Sequence, residues 1–373
     1  MITSTQRKSF HIHTGINRKP KSKGVNFMTI VDAHVHIGNI KENFKPIYDL
    51  AKRLNYSKLT LMSLQCTGNL LQNLTCALCK SLHPKITYAF GGLDYITGRD
   101  LLSQVQNLKA FGFDGVKMLE GKPTTRRKLG YALSDPKYYD FFKFSEENSF
   151  PVLLHIADPP EFWDKDKVPP WAVEYGWHYD ENDVPYSQYY DEIEKVLEKH
   201  PKLRAIFAHF YFLSDNPERA QKFLDDHPNI FIDVTAGIEM YENFSKDTAF
   251  WREFFIKNED RIIFGTDSSD AAEDPDDDSD KDEKVDINGY AAMEIEFLKS
   301  DKEIKIFDKK IKGIGLPESS QKLIFSENYY SLVGTEPKKL DISALKKEAA
   351  FIRDFLQTDE DKETLDYIVS KLN

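Results

Sequence analysis

The sequence predicts an eight-stranded (β/α)8, or TIM, barrel. Three observations carry that expectation: eight short apolar runs follow Met28, longer segments of helical period separate them, and histidine, lysine and aspartate recur at the ends of the runs. Most runs are apolar throughout, as strands of a parallel sheet covered on both faces must be. Regular alternation of strand and helix favours a closed barrel over a doubly wound sheet.

The first run, TIVDAH from Thr29, ends at His34, and His36 follows one residue later. Residues i and i+2 of a strand point to one face, so two imidazoles aim at one spot. That spot suits a divalent metal with one or two further ligands from elsewhere. A hydrogen-bonded polar pair at a strand mouth is the alternative. The second and third runs are KLTLMSL from Lys58 and ITYAFGGL from Ile86. Between them LTCALCKSL has an apolar helical pattern, so Cys76 and Cys79 read as packing residues; with Cys66 they make an odd count that suggests no disulfide framework.

The fourth run, FDGVKML, carries Lys117; the fifth, PVLLHIA, ends near His155; the sixth, LRAIFAH, ends at His209. NIFIDVTAG from Asn229 is the seventh, and RIIFGTD, closing on Asp267, the eighth. Helix starts fall between them: Asp135 and Asn216 each precede a proline, giving an N-cap and a proline at the first helical position, and Pro317 opens the last helix. In such a barrel the C-terminal ends of the strands hold the active site. His34, His36, Lys117, His155, His209 and Asp267 all fall at that edge, which makes a chemical role for the set far better than coincidence.

Residues 1–27 are basic and contain no acidic residue. They read as a disordered basic extension, with an over-long gene start and a transit peptide as alternatives. His11 and His13 lie there, outside any strand pattern, and are set aside. The barrel is expected over 28–335 and a helical tail over 336–373, packed on the barrel exterior or on a partner, which leaves a homo-oligomer open. After the fifth run a long loop holds Trp163, Trp171, Trp177 and His178. These residues either form a lid over a substrate or pack the loop onto the barrel rim. The acidic stretch Asp270 to Asp286 reads as a solvated loop: an EF-hand register from Asp274 would put Ser279 where glycine is needed and Val285 where glutamate belongs. A formal net charge of −11 argues against a nucleic-acid partner. No run has the length of a membrane span, and a reducing cytoplasm is the expected compartment, with a small molecule as the substrate.

The ordered pieces VDAHVH, FDGVKML, PVLLHIADP, AIFAHF, FIDVTAG, IIFGTDSS and GLPESSQKLIFSENYYSLVG resemble the amidohydrolase superfamily, within it the amidohydrolase-related group of metal-dependent hydrolases and decarboxylases. The resemblance spans Met28 to Gly334. It implies one divalent metal, zinc first and manganese next, on His34, His36, His155 and Asp267, with Asp267 and His209 catalytic. It also implies that Lys117 either supports the site, meets an anionic substrate or, carbamylated, bridges to a second ion that His209 would help to hold. The group often has a histidine two residues after this lysine; here that position is Leu119, followed by Glu120. The function implied is hydrolysis of an amide, ester or lactone of a small organic acid by a metal-activated water. Nonoxidative decarboxylation of a small or aromatic carboxylic acid, a metal-free lactonase and a catalytically inactive ligand-binding barrel are the alternatives.

Overall fold

Apolar, β-branched segments bounded by turn formers become strands wherever helices can cover them, and this chain supplies both. In the computed structural model, which describes residues 28–38, 45–235, 237–269, 287–306 and 308–372, the strands are β1 (Val31–His36), β2 (Lys58–Met62), β3 (Thr87–Gly91), β4 (Gly115–Gly121), β5 (Val152–Ile156), β6 (Ala205–Phe207), β7 (Ile230–Asp233), β8 (Ile262–Ile263) and β9 (Ser268–Ser269). In this nine-stranded sheet all neighbours are parallel, in the order β8-β7-β6-β5-β4-β3-β2-β1-β9, and a separate antiparallel pair joins Glu303–Ile306 to Lys309–Lys312. The extension 1–27, His11 and His13, and the acidic stretch 270–286 lie outside the described residues.

The ends of that order are one piece of chain. β8 pairs with β7, and β9, five residues later, pairs with β1. Between them Ala33 N donates to Phe264 O at 3.0 Å and Asp267 N to His34 O at 2.8 Å. The eighth run therefore spans from the last strand back to the first and closes the ring as predicted, but in two short segments rather than one strand. The break falls at Asp267, whose φ of 55° no regular strand accommodates.

Side chains alternate between the two faces of the wall. Val31, Ala33, Met62, Tyr88, Phe90, Leu153, Ile206, Ala208 and Ile263 form an interior cluster, plugged by Tyr329 and Leu332 from the helix Asn328–Val333. Residues of opposite parity, such as Val116, Met118, Leu154, Phe207 and Ile232, join the larger core under the helices. In β1 the parity switches. Val31 and Ala33 belong to the interior, Val35 to the outer layer, and the pairing with β2 slips between Asp32 and Val35. This bulge is the device that turns the end of β1 and re-aims the side chains that follow.

The proline signals hold with one refinement. Asn216 Oδ1 accepts from Arg219 N at 3.1 Å at the start of Pro217–Asp226. Asp135 Oδ1 accepts from Lys137 N at 2.9 Å, but it caps a 3₁₀ turn, Pro136–Tyr138, that leads into the helix Tyr139–Glu147. The tail forms two helices, Ile342–Arg353 and Asp359–Lys371, and buries Leu345, Ile352, Leu365 and Ile368 in the main core. All three cysteines are buried thiols, as packing residues should be.

Candidate active site

The interior face of the C-terminal strand ends is where the polar residues gather. His34 Nε2 lies 3.1 Å from His36 Nε2, and Asp267 Oδ1 lies 2.9 Å from His36 Nε2 and 3.4 Å from His34 Nε2. Two ligands of one cation at about 2.1 Å are separated by about 3.0–3.4 Å at octahedral or tetrahedral angles, so this spacing is what a shared ion needs. The three residues form a group able to hold a metal. Gly265 permits the approach, since a Cβ there would meet Thr235 Cγ2 at 2.9 Å and His34 Cβ at 3.0 Å.

The protonation pattern agrees with a ligand role. His34 Nδ1 faces Asp233 Oδ2 at 3.1 Å; Nδ1–H donates to the carboxylate, which leaves Nε2 with its lone pair toward His36 and Asp267. Burial, reinforced by the Lys117 ammonium, holds the His34 pKa well below its ordinary value, so the ring is neutral. Burial works to raise the Asp267 carboxyl, but His34 and His36 outweigh it and hold the pKa well below the carboxylate range. Neutral imidazole and ionised carboxylate are the forms that bind metals.

Lys117 stands against this arrangement and beside it. Its Nζ is 3.0 Å from His34 Nε2, where the ammonium donates to the lone pair an ion would use. Burial lowers its pKa to about 8, so the proton is not held firmly. His155 is not in the three-residue group: its Nε2 is 3.1 Å from Asp158 Oδ1. Asp158 also accepts from Lys122 Nζ at 2.6 Å and from Tyr179 OH at 2.6 Å.

His209 lies with its ring centroid 4.8 Å from that of His155 and 5.8 Å from that of His34. Thr235 Oγ1 donates to Asp233 Oδ1 at 2.6 Å, so its oxygen accepts a hydrogen bond from His209 Nδ1–H at 3.2 Å. Nε2 is then the acceptor nitrogen of His209. His209 N and Thr235 N also donate to Asp233 Oδ1. One carboxylate thus sets the tautomer of His34 directly and that of His209 through a hydroxyl.

The backbone is strained where these residues sit. Ala157, Asp267 and four consecutive residues, His209 to Phe212, have φ between 50° and 63° as left-handed non-glycine positions. Each costs about 1–2 kcal/mol against the right-handed form. Such outliers cluster at functional sites, where packing over-determines them. Phe210 and Tyr211 are buried among aromatic rings, and the Phe212 ring stacks on His209 at 5.2 Å.

Above the group opens a cavity of about 430 Å³, lined by His36, Lys117, His155, His209 and Asp267 on its floor and by Leu64, Leu119, Phe162, Trp171, Trp177 and Phe212 on its walls. The long loop divides. Trp171 and Trp177 face the cavity; Trp163 packs on Tyr179 and Tyr186 and donates to Val184 O, and His178 is exposed and away from the lining. Glu120 does not line the cavity either. It is buried beside Tyr95, whose hydroxyl donates to it at 2.9 Å. The sequence reading missed Asp233, Asp158, Lys122 and Glu239. Asp233 alone had a signal, since it has the parity of an inward residue in FIDVTAG.

A model of the amidohydrolase family matches residues 99–328, more than half of the chain. The chain belongs to the amidohydrolase family. Lys117, His155, His209, Asp233 and Asp267 of this amidohydrolase fall within the matched span, and His34 and His36 precede it. Among solved structures, 2,6-dihydroxybenzoate decarboxylase from Rhizobium is similar at 14% identity and a TM-score of 0.53, over 82% of this chain and 98% of that one. A TIM-barrel protein from Bordetella bronchiseptica is similar at 13% identity and a TM-score of 0.52, over 82% and 99%. At this identity they show a shared barrel fold. No curated protein matched the sequence.

Proposed function

We propose that this amidohydrolase is a metal-dependent hydrolase of a small amide, ester or lactone. The observation that carries the reading is the convergence of His34 Nε2, His36 Nε2 and Asp267 Oδ1 on one point at the floor of the cavity. His34, His36 and Asp267 would hold a divalent ion, with His155 as a further ligand. A divalent cation there supplies a Lewis acid and a water of lowered pKa. Asp267, ionised at neutral pH, accepts the proton of the attacking water and returns it to the leaving group. His209 acts first as an acceptor, because its Nδ1 proton is committed to Thr235; it polarises a carbonyl only after taking a proton. Lys117, whose pKa burial lowers to about 8, would yield its contact with His34 Nε2 to such an ion. Trp171 and Trp177 shield the reacting group from bulk water.

The test is turnover by the zinc- or manganese-loaded protein on panels of esters, lactones, amides and aromatic acids, beside Asp267→Asn. Hydrolysis lost at least a thousandfold in the variant supports the reading. Carbon dioxide release from an acid, without hydrolysis, would replace it with nonoxidative decarboxylation on the same residues. Loaded protein inert to every panel would leave a ligand-binding barrel.

A further inference from the structure

The cavity does not end at its aromatic walls. Past Phe212 and Gly237 it continues into a side recess of about 30 Å³, which shares Pro159, His209, Phe212, Gly237 and Glu239 with the main space. That is the room one water or one ammonium-sized group takes. Glu161, Asp215 and Glu239 border the recess, and no lysine or arginine lines it. Among the described residues none of these three carboxylates has an ion-pair partner, whereas Asp158 nearby is neutralised by Lys122. Lys246, on the same helix as Glu239, has its Nζ on Asn243 Oδ1 at 2.6 Å.

We propose that the recess holds a primary ammonium group of the substrate, bound by Glu239, while the aromatic walls hold the adjoining apolar part and present the reacting carbonyl to His34, His36 and Asp267. The inference rests on the reading of this cavity as the substrate site. Three features converge on it. The recess is too small for a ring or a carboxylate with its hydration. Its charge is negative without internal compensation, so an anion is repelled and a neutral group leaves Glu239 without a partner. Trp171 stands on the wall of the main space, an aromatic face that favours a cation, while the Trp177 ring already carries Lys122 Nζ at 4.1 Å. Burial and the neighbouring Glu161 raise the Glu239 carboxyl to about 7, the response of a carboxylate enclosed with no cation beside it. Glu239 is a specificity-determining residue and takes no part in bond making.

The test is calorimetric binding of benzylamine, benzyl alcohol and benzoate to the full-length protein as purified and to Glu239→Gln, a nearly isosteric change. Wild-type protein is expected to bind benzylamine at least tenfold more tightly than benzyl alcohol and to reject benzoate. Glu239→Gln should abolish that preference and leave benzyl alcohol binding unchanged, which shows that the pocket is intact. Equal affinity for the amine and the alcohol, a preference that survives in Glu239→Gln, preference for benzoate, or no binding of any probe would each overturn the proposal. Binding is read without turnover, so a retained amine preference in a protein that hydrolyses nothing would condemn the hydrolase reading alone.

Discussion

Asp233 is the residue on which the site turns. Its carboxylate accepts from His34 Nδ1, His209 N, Thr235 N and Thr235 Oγ1, and it is wholly buried. Outer-sphere carboxylates of this kind fix the ligand tautomer and raise its basicity. Asp233→Ala should therefore weaken metal binding about 10–100-fold, measured by competition with a chromogenic chelator, although Asp233 touches no ion. Unchanged affinity would mean that His34 finds its tautomer unaided. A second buried carboxylate, Glu120, behaves differently because Oε2 has no partner and burial raises its pKa from 4.5 to about 7. The native state then holds this proton more tightly than the unfolded chain, so the stability linked to it is full below pH 4.5 and is lost as pH rises through 7. Glu120→Gln should be equal to wild type at pH 4 and more stable by about 3 kcal/mol at pH 8, by urea unfolding at both. A difference that does not vary with pH would show that Glu120 is ionised in the fold. The histidines and Asp267 were legible because metal-binding residue types at strand ends are conspicuous. Asp158, in the loop after β5, and Glu239, in the first turn of the helix Ile238–Lys246, were not, because a carboxylate outside the strand pattern does not show which cavity it borders until the chain is folded.

At the scale of elements, period and punctuation predicted strands and helices well, since buried apolar runs and proline N-termini act locally. What escaped is backbone that the sequence does not advertise. HFYF, His209 to Phe212, has no glycine or asparagine, yet all four residues are left-handed; packing of Phe210 against Phe244, Trp251 and Phe255 imposes what propensity opposes. The bulge in β1 and the break at Asp267 are hidden in the same way. The strain makes a prediction of sign. Phe212→Ala and Phe212→Gly lose the same ring, and in ordinary backbone the alanine variant is the more stable. Here φ is 50°, so the glycine variant should be the more stable by about 1 kcal/mol, by chemical denaturation. The opposite order would place Phe212 in a right-handed conformation.

The whole molecule is tied together from the bottom of the barrel to the tail. Lys80 and Asp114 form a buried pair at 2.5 Å, and Asp114 also accepts from Ala89 N in β3 and from Lys338 N at the start of the tail. Lys80→Met leaves that carboxylate buried without its cation and should cost about 3–5 kcal/mol in urea unfolding, with loss of less than about 1 kcal/mol contradicting a structural role. The tail's helical period and its packing against the barrel or a partner were expected from the sequence, but the contacts that fix it were not, because a buried lysine announces nothing about its partner. Among the described residues no helix is long and apolar enough to cross a membrane. Barrel, tail and buried pairs together hold the strand ends in place, and the central claim is that those ends bind one metal ion. The most direct test is metal content per chain by plasma mass spectrometry, on wild type and on His36→Ala. About one equivalent of a divalent metal, lost in a variant that keeps its melting temperature, is the predicted result. Folded wild-type protein that carries no metal and takes none up on reconstitution would contradict it.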